Sequence, residues 1–167
     1  MRRIGRDSGG LSGWLRSGLI AGAAGTTALN AVTYLDMALR GRPGSTTPEQ
    51  TVQRIEQLTH QSLDMPGAEE AAEHRRTGIG ALLGIATGLG SGLAYGVARN
   101  ALSSAPLPAM VLIASAAANL GSVVPMACLG VTDPRRWPAS AWLSDLVPHL
   151  AYGVVAAIVY EELRRFG

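Results

Sequence analysis

The sequence predicts an all-α, polytopic membrane protein with four transmembrane helices in an up-down bundle. Its 167 residues form one predicted membrane domain, 1–167, and one amphipathic surface helix is expected between the first and second spans. The composition is 47% hydrophobic and only 16% charged, whereas about a quarter of a soluble domain is charged. Long uncharged stretches of bilayer length supply the second observation, and polar residues gathered on single helix faces supply the third. A net charge of +2 without basic–aromatic runs argues against a nucleic-acid partner.

The first predicted span covers 17–39 and has one small and polar face. This face covers about 140° of the helical wheel, and lipid disfavours it, so we expect it to point into the protein. A signal peptide is the alternative for a basic start followed by an apolar stretch, but 17–39 is too long for a signal core. The face consists of Gly18, Gly22, Gly25, Thr26, Asn30, Thr33 and Asp36.

An amphipathic helix is predicted over about 48–64. Thr47-Pro48-Glu49-Gln50 resembles a helix start, with a threonine cap and proline at the first helical position. Val52, Ile55 and Leu58 then form a narrow apolar stripe on an otherwise polar segment. The segment is too polar to span, so we expect it to lie on the membrane surface or to fold over the bundle.

The second predicted span, 77–98, contains a glycine at every fourth position. Its 22 uncharged residues would form about 33 Å of helix, which matches a bilayer core. Each glycine costs roughly 1 kcal/mol in a soluble helix, whereas in lipid a row of glycines allows another helix to approach closely. We therefore expect a helix-packing ridge formed by Gly80, Gly84, Gly88, Gly92 and Gly96.

The third and fourth spans are predicted over 107–129 and 141–160, and aromatic residues mark the span ends as in a membrane belt. The third span echoes the first: Ser115, Asn119 and Ser122 repeat the type and spacing of Thr26, Asn30 and Thr33. The echo indicates two related helix hairpins; coincidence in an alanine- and glycine-rich chain is the alternative. We expect Thr26, Asn30 and Thr33, the polar stripe of the first span, to face the matching stripe of the third span or the glycine helix. There they should form interhelical hydrogen bonds.

Six polar residues are candidates for a functional site. Up-down threading would bring most of them to one end of the bundle, around a polar vestibule that could handle a proton or a solute. The alternative is that Asp36 and Asp145 are interfacial residues paired with Arg76 or Arg40. The sequence contains no nucleophile or phosphate-loop motif and no histidine or cysteine pair with metal-ligand spacing, so we expect neither an enzyme nor a cofactor. The six are Asn30, Asp36, Arg76, Asn119, Asp145 and His149.

The second half of the chain resembles the YagU-like family of small bacterial inner-membrane proteins. The resemblance lies in Pro125-Met126, the exit Leu129 to Pro134, Trp142, His149-Leu150 and the acidic–basic segment Glu161 to Arg165. It implies a multi-pass plasma-membrane protein without an assigned activity.

Two functions therefore stay open. The first is a structural or interaction protein that packs or self-associates through the glycine helix, with the lipid bilayer and a second copy or another membrane protein as partners. The second is a small transporter or channel that uses the polar vestibule. The fourteen arginines divide equally between the two predicted sides, and the basic N-terminus favours cytoplasmic termini.

Overall fold

The computed structural model describes residues 11–166, and this part of the chain is helical without a strand. Arg2, Arg3 and Arg6, which entered the prediction of sidedness, lie outside the described residues. A short 3-10 turn, Pro134–Arg136, joins the last two helices. The α-helices are α1 Leu11–Arg40, α2 Thr47–Thr59, α3 Glu69–Ala101, α4 Leu107–Cys128 and α5 Ala139–Phe166.

The four long helices pack in a ring, because α1 and α4 each contact both α3 and α5. Residue contacts show that α1 and α3 run in opposite directions: Gly18 lies against Gly92, and Gly22 lies against Gly88. The centre of the ring is filled by bulky buried side chains among small ones. The largest of them are Tyr95, Tyr152, Tyr160 and Met110.

Three of the described helices, α3, α4 and α5, are long and apolar enough to cross a membrane. Although α1 has 30 residues, it is not among them, because Asn30, Thr33 and several glycines dilute its apolar content. The predicted span over 17–39 thus stays a prediction. By contrast, α3 begins at Glu69, eight residues before the predicted start of its span, and its polar first turns extend the helix beyond the apolar segment.

The short helix α2 folds over the beginning of α3. Val52 of α2 and Ala72 of α3 are buried in this contact, and Pro48 packs against Gly80. The helix ends at Thr59, before the predicted end at 64, because His60 adopts a left-handed conformation with φ of 55°. Of the two predicted positions for this segment, the structure shows the one on the bundle.

Candidate functional site

The glycine ridge of α3 is where two helix backbones approach most closely. A Cβ atom added at Gly92 would overlap the carbonyl oxygen of Gly18 and the backbone of Gly22. One turn away, a Cβ at Gly88 would overlap the hydroxyl of Thr26. Because backbone atoms block the space at Gly92, no side-chain rotation could make room there. The α1–α3 contact therefore requires glycine at this position.

The other three ridge glycines differ in what covers them. A Cβ at Gly80 would lie 2.9 Å from Cβ of Pro48 in α2, and one at Gly96 would lie 3.3 Å from Cε2 of Tyr160 in α5. Gly84 has no atom within 4 Å of its Cβ position and is exposed. Four ridge positions are thus covered by the chain itself, and Gly84 stays open.

Two tyrosines of α5 anchor that helix to carbonyl groups of the ridge. The Tyr152 hydroxyl donates to the carbonyl oxygen of Gly88 at 2.7 Å, and the Tyr160 hydroxyl donates to that of Gly96 at 3.5 Å. The ring of Tyr152 also packs against Gly25 of α1, where a Cβ atom added to the glycine would lie 2.8 Å from the ring. Sequence reasoning missed Tyr152. The eight-residue interval shared by the two glycines and the two tyrosines was the signal that could have revealed it.

The hydroxyl groups of the two predicted polar stripes form hydrogen bonds mostly to backbone carbonyls of their own helices. Thr26 does pack against α3, as expected, but its hydroxyl donates to the carbonyl of Gly22 at 2.8 Å. Ser115 likewise donates to Val111 at 2.9 Å while it packs against Gly153 of α5. Small hydroxyl side chains in these helices therefore fill the space opposite a glycine, and their polar atoms are satisfied locally.

A polar cluster between α4 and α5 brings together three of the six predicted site residues. The Asn119 amide donates to the Asp145 carboxylate, and Nδ1 of His149 lies 2.7 Å from the carbonyl oxygen of Asp145. Ser122 was predicted as part of the polar stripe of the third span and not as a site residue. Its Oγ lies 3.4 Å from Nε2 of His149. The Asp145 and His149 side chains are 20% and 12% exposed. We call Asn119, Ser122, Asp145 and His149 the α4–α5 cluster.

Asp36 lies apart from this cluster, on the side of α5 that faces α1. Its carboxylate pairs with Arg42 at 2.5 Å and with Arg40 at 3.3 Å, so the predicted Arg40 pairing is present. Asp36 lines a cleft of about 190 Å³ together with Ser144 and Pro148. Asn30 is half-buried and has no side-chain hydrogen bond to the rest of the described chain.

Arg76 also lies outside the α4–α5 cluster, because it binds carboxylates near α2. Its Nε donates to Glu56 at 2.6 Å, and its Nη2 donates to Asp64 at 2.8 Å. The Arg76 guanidinium holds the pKa of the Glu56 carboxyl below its ordinary value of 4.5. The Arg76 side chain is only 15% exposed. Arg76 therefore pairs with Glu56 and Asp64, and the predicted pairing of Arg76 with Asp36 or Asp145 is absent from the described residues.

We expect Glu56→Gln to weaken the docking of α2 on α3 by about 2 kcal/mol, since a charge-assisted pair is lost. Because the pKa of Glu56 is lowered, its contribution is present above pH 4.5 and disappears as the pH falls through the lowered value. Proteolysis of the 60–68 segment as a function of pH measures this docking. Glu70→Gln is the control, because the Glu70 side chain is 89% exposed. Equal protease sensitivity of both variants would contradict the assignment.

No group of three His, Cys, Asp or Glu side chains within residues 11–166 could hold a metal ion. Comparison with family models, curated proteins and solved structures finds no match to the chain. The geometry defines the class of protein: a helical chain with three helices able to cross a membrane, in which a glycine-rich helix packs closely against a neighbouring helix.

Proposed function

We propose that the protein is a small integral protein of the plasma membrane that crosses it four times, with α1 as the fourth span. The polar face of α1 is covered by α3 and α5, so the mean hydropathy of the whole helix understates the hydrophobicity of its outer face. Between Leu19 and Leu39 the exposed positions carry no charge, and the exposed hydroxyl of Thr27 is satisfied by the carbonyl of Ala23 at 3.0 Å. Such a surface suits lipid.

The outer faces of the other three long helices support the same proposal. Each presents large apolar side chains over its middle, whereas the arginine–carboxylate ion pairs of α3 and α5 lie toward the helix ends. A soluble domain rarely exposes so large an apolar surface. The surface includes Leu82, Ile85, Leu112, Leu120, Leu146, Val147, Leu150 and Ile158.

Single-cysteine labelling tests the four-span topology. In a Cys128→Ala background, we expect Gly13→Cys and Ser104→Cys to react with an impermeant maleimide from one side of the membrane. Gly44→Cys and Arg135→Cys should react from the opposite side. If α1 did not cross, Gly13→Cys and Gly44→Cys would be labelled from the same side. Gly13 and Gly44 have at least 3.5 Å of free space at their Cβ positions, so these cysteines fit. We propose that Gly13 and Ser104 face the cytoplasm.

Within the membrane, the proposed role is that of a structural or interaction protein. The observation that carries this proposal is the filled centre: Tyr95 and Tyr152 are fully buried where a solute path between the four helices would run. A second copy or another membrane protein would then contact the outer surface, where Gly84 is the uncovered ridge position.

Crosslinking in native membranes tests self-association. If copies meet at the uncovered part of the ridge, Gly84→Leu should reduce the crosslinked dimer while the monomer keeps its melting temperature. Gly90→Leu is the matched control, because Gly90 is also exposed and has no atom within 4 Å. A dimer insensitive to Gly84→Leu would place the interface elsewhere, and the absence of any crosslinked species would refute self-association.

A small transporter is the second candidate, and the α4–α5 cluster favours it. Ionisable side chains inside a membrane-spanning segment are costly and are mostly functional. Here Asp145 and His149 are both largely buried between α4 and α5. Transport predicts that Asp145→Asn and His149→Ala leave assembly intact and abolish a pH-dependent flux into proteoliposomes; a purely structural role predicts loss of assembly or no effect.

A further inference from the structure

The hydrogen-bond geometry of His149 determines which of its ring nitrogens can exchange a proton. Its Nδ1 lies 2.7 Å from the carbonyl oxygen of Asp145. A carbonyl oxygen only accepts hydrogen bonds, so Nδ1 must carry the hydrogen. The exchangeable nitrogen is therefore Nε2, which points toward Ser122 of α4.

The Ser122 hydroxyl can serve either protonation state of Nε2. Its Oγ lies 3.4 Å from Nε2 of His149 and 2.9 Å from the carbonyl oxygen of Asn119. When Nε2 is bare, the hydroxyl hydrogen can point to it. When Nε2 carries a hydrogen, Nε2 donates to Oγ and the hydroxyl turns to the Asn119 carbonyl. Apart from the proton that Nε2 gains, only a rotation of the Ser122 hydroxyl separates the two states.

The charge of a protonated His149 would be balanced locally. The Asp145 carboxylate lies 3.6 Å from Nδ1, and the Asn119 amide orients it. The other groups that α4 brings to the cluster, Asn119 and Ser122, are uncharged, and α3 contains no charged residue over 77–98. The nearest charged side chains of α1, Asp36 and Arg40, line the cleft beside Ser144 and Pro148 on a different face of α5.

We propose that Nε2 of His149 is an intramembrane proton-binding site, with Ser122 as its switching hydrogen-bond partner and Asp145 as its counter-ion. A proton from hydronium forms the Nε2–H bond as the hydronium O–H bond breaks, and the cluster changes from net −1 to neutral. The neutral state is the one a bilayer tolerates better. The proposal names the ligand of the transporter candidate and rests on membrane insertion of α5.

Nitrogen-15 NMR of the full-length protein in nanodiscs tests this directly. The chain has three histidines, so the His60→Asn and His74→Gln substitutions leave one labelled imidazole. Asparagine suits position 60 because the φ angle there is 55°. We expect Nδ1 to stay protonated across the titration while Nε2 gains and loses its hydrogen. An imidazole that titrates at Nδ1, or does not titrate between pH 4 and pH 9, would overturn the proposal.

Substitutions then test the assigned roles. Asp145→Asn should change the pH dependence of the Nε2 shift, because the carboxylate beside the imidazole is lost. Ser122→Ala should alter the Nε2 shift, whereas Ser115→Ala, which removes a hydroxyl bonded only to Val111, should not. An equal effect of Asp36→Asn and Asp145→Asn would refute the counter-ion role. A site that titrates as proposed in liposomes without flux would refute the transporter and leave the proton site standing.

Discussion

Replacing Gly92 by leucine is expected to separate α1 from α3 and to destabilise the protein by about 3 kcal/mol or more. The new side chain would have to occupy the space of the Gly18 carbonyl and the Gly22 backbone. Overpacking against a side chain can be relieved by a rotamer change, but here one whole helix would have to move. Thermal unfolding in detergent and the yield of folded protein from membranes measure the effect.

Gly90→Leu is the matched control for this substitution. Both changes replace glycine by leucine in the middle of α3, but the Cβ position of Gly90 is open. Leucine has the higher helix propensity, so the intrinsic effect of either change is stabilising by roughly 1 kcal/mol. A loss at Gly92 with tolerance at Gly90 therefore reports packing alone. Equal losses at the two positions would contradict the packing shown here.

Arg99→Gln is expected to produce the second large effect, about 3 kcal/mol, because it removes the close partner of the largely buried Glu161 carboxylate and leaves only the more distant Arg164. The Arg99 and Glu161 side chains are 12% and 22% exposed and pair at 2.5 Å. Arg99 also donates to the carbonyls of Leu102 and Ser103, so the same side chain holds the turn between α3 and α4. The readouts are thermal unfolding and proteolysis of that turn.

Arg164→Gln provides the comparison for Arg99. Arg164 also pairs with Glu161, but at 3.6 Å and with 42% of its side chain exposed, so we expect a loss well below 1 kcal/mol. The double variant Arg99→Met, Glu161→Met should recover part of the stability, since neither charge is then left alone. No recovery would show that the carbonyl contacts of Arg99, and not its ion pair, carry the effect.

The glycine ridge was predictable from sequence, but its partners were not. The sequence of 77–98 has a glycine at every fourth position. Which helix fills each gap depends on the azimuth of every helix in the bundle, and Gly80, Gly92 and Gly96 turn out to face three different elements. Tyr152 looked like an ordinary aromatic residue because its partner carbonyl, that of Gly88, belongs to the backbone.

Of the six candidate polar residues, Asn119, Asp145 and His149 meet in the structure, whereas Asp36 and Arg76 lie on other faces. Counting residues along helix axes estimates depth, whereas Ser144 and Asp145 differ by about 100° around α5. The first faces Asp36 across the cleft, and the second bonds to Asn119. Arg76 was assigned to the vestibule because nothing in the local pattern shows that α2 folds back and places Glu56 beside it.

The contact between α1 and α5 has a consequence for the order of biosynthesis. Within this chain α5 is translated after α1 and α3, yet it packs against α1, with Tyr152 inserted between Gly25 and Gly88. Until α5 is translated, the small and polar face of α1 has only α3 to shield it. A chain that ends before residue 139 therefore cannot close its ring of helices.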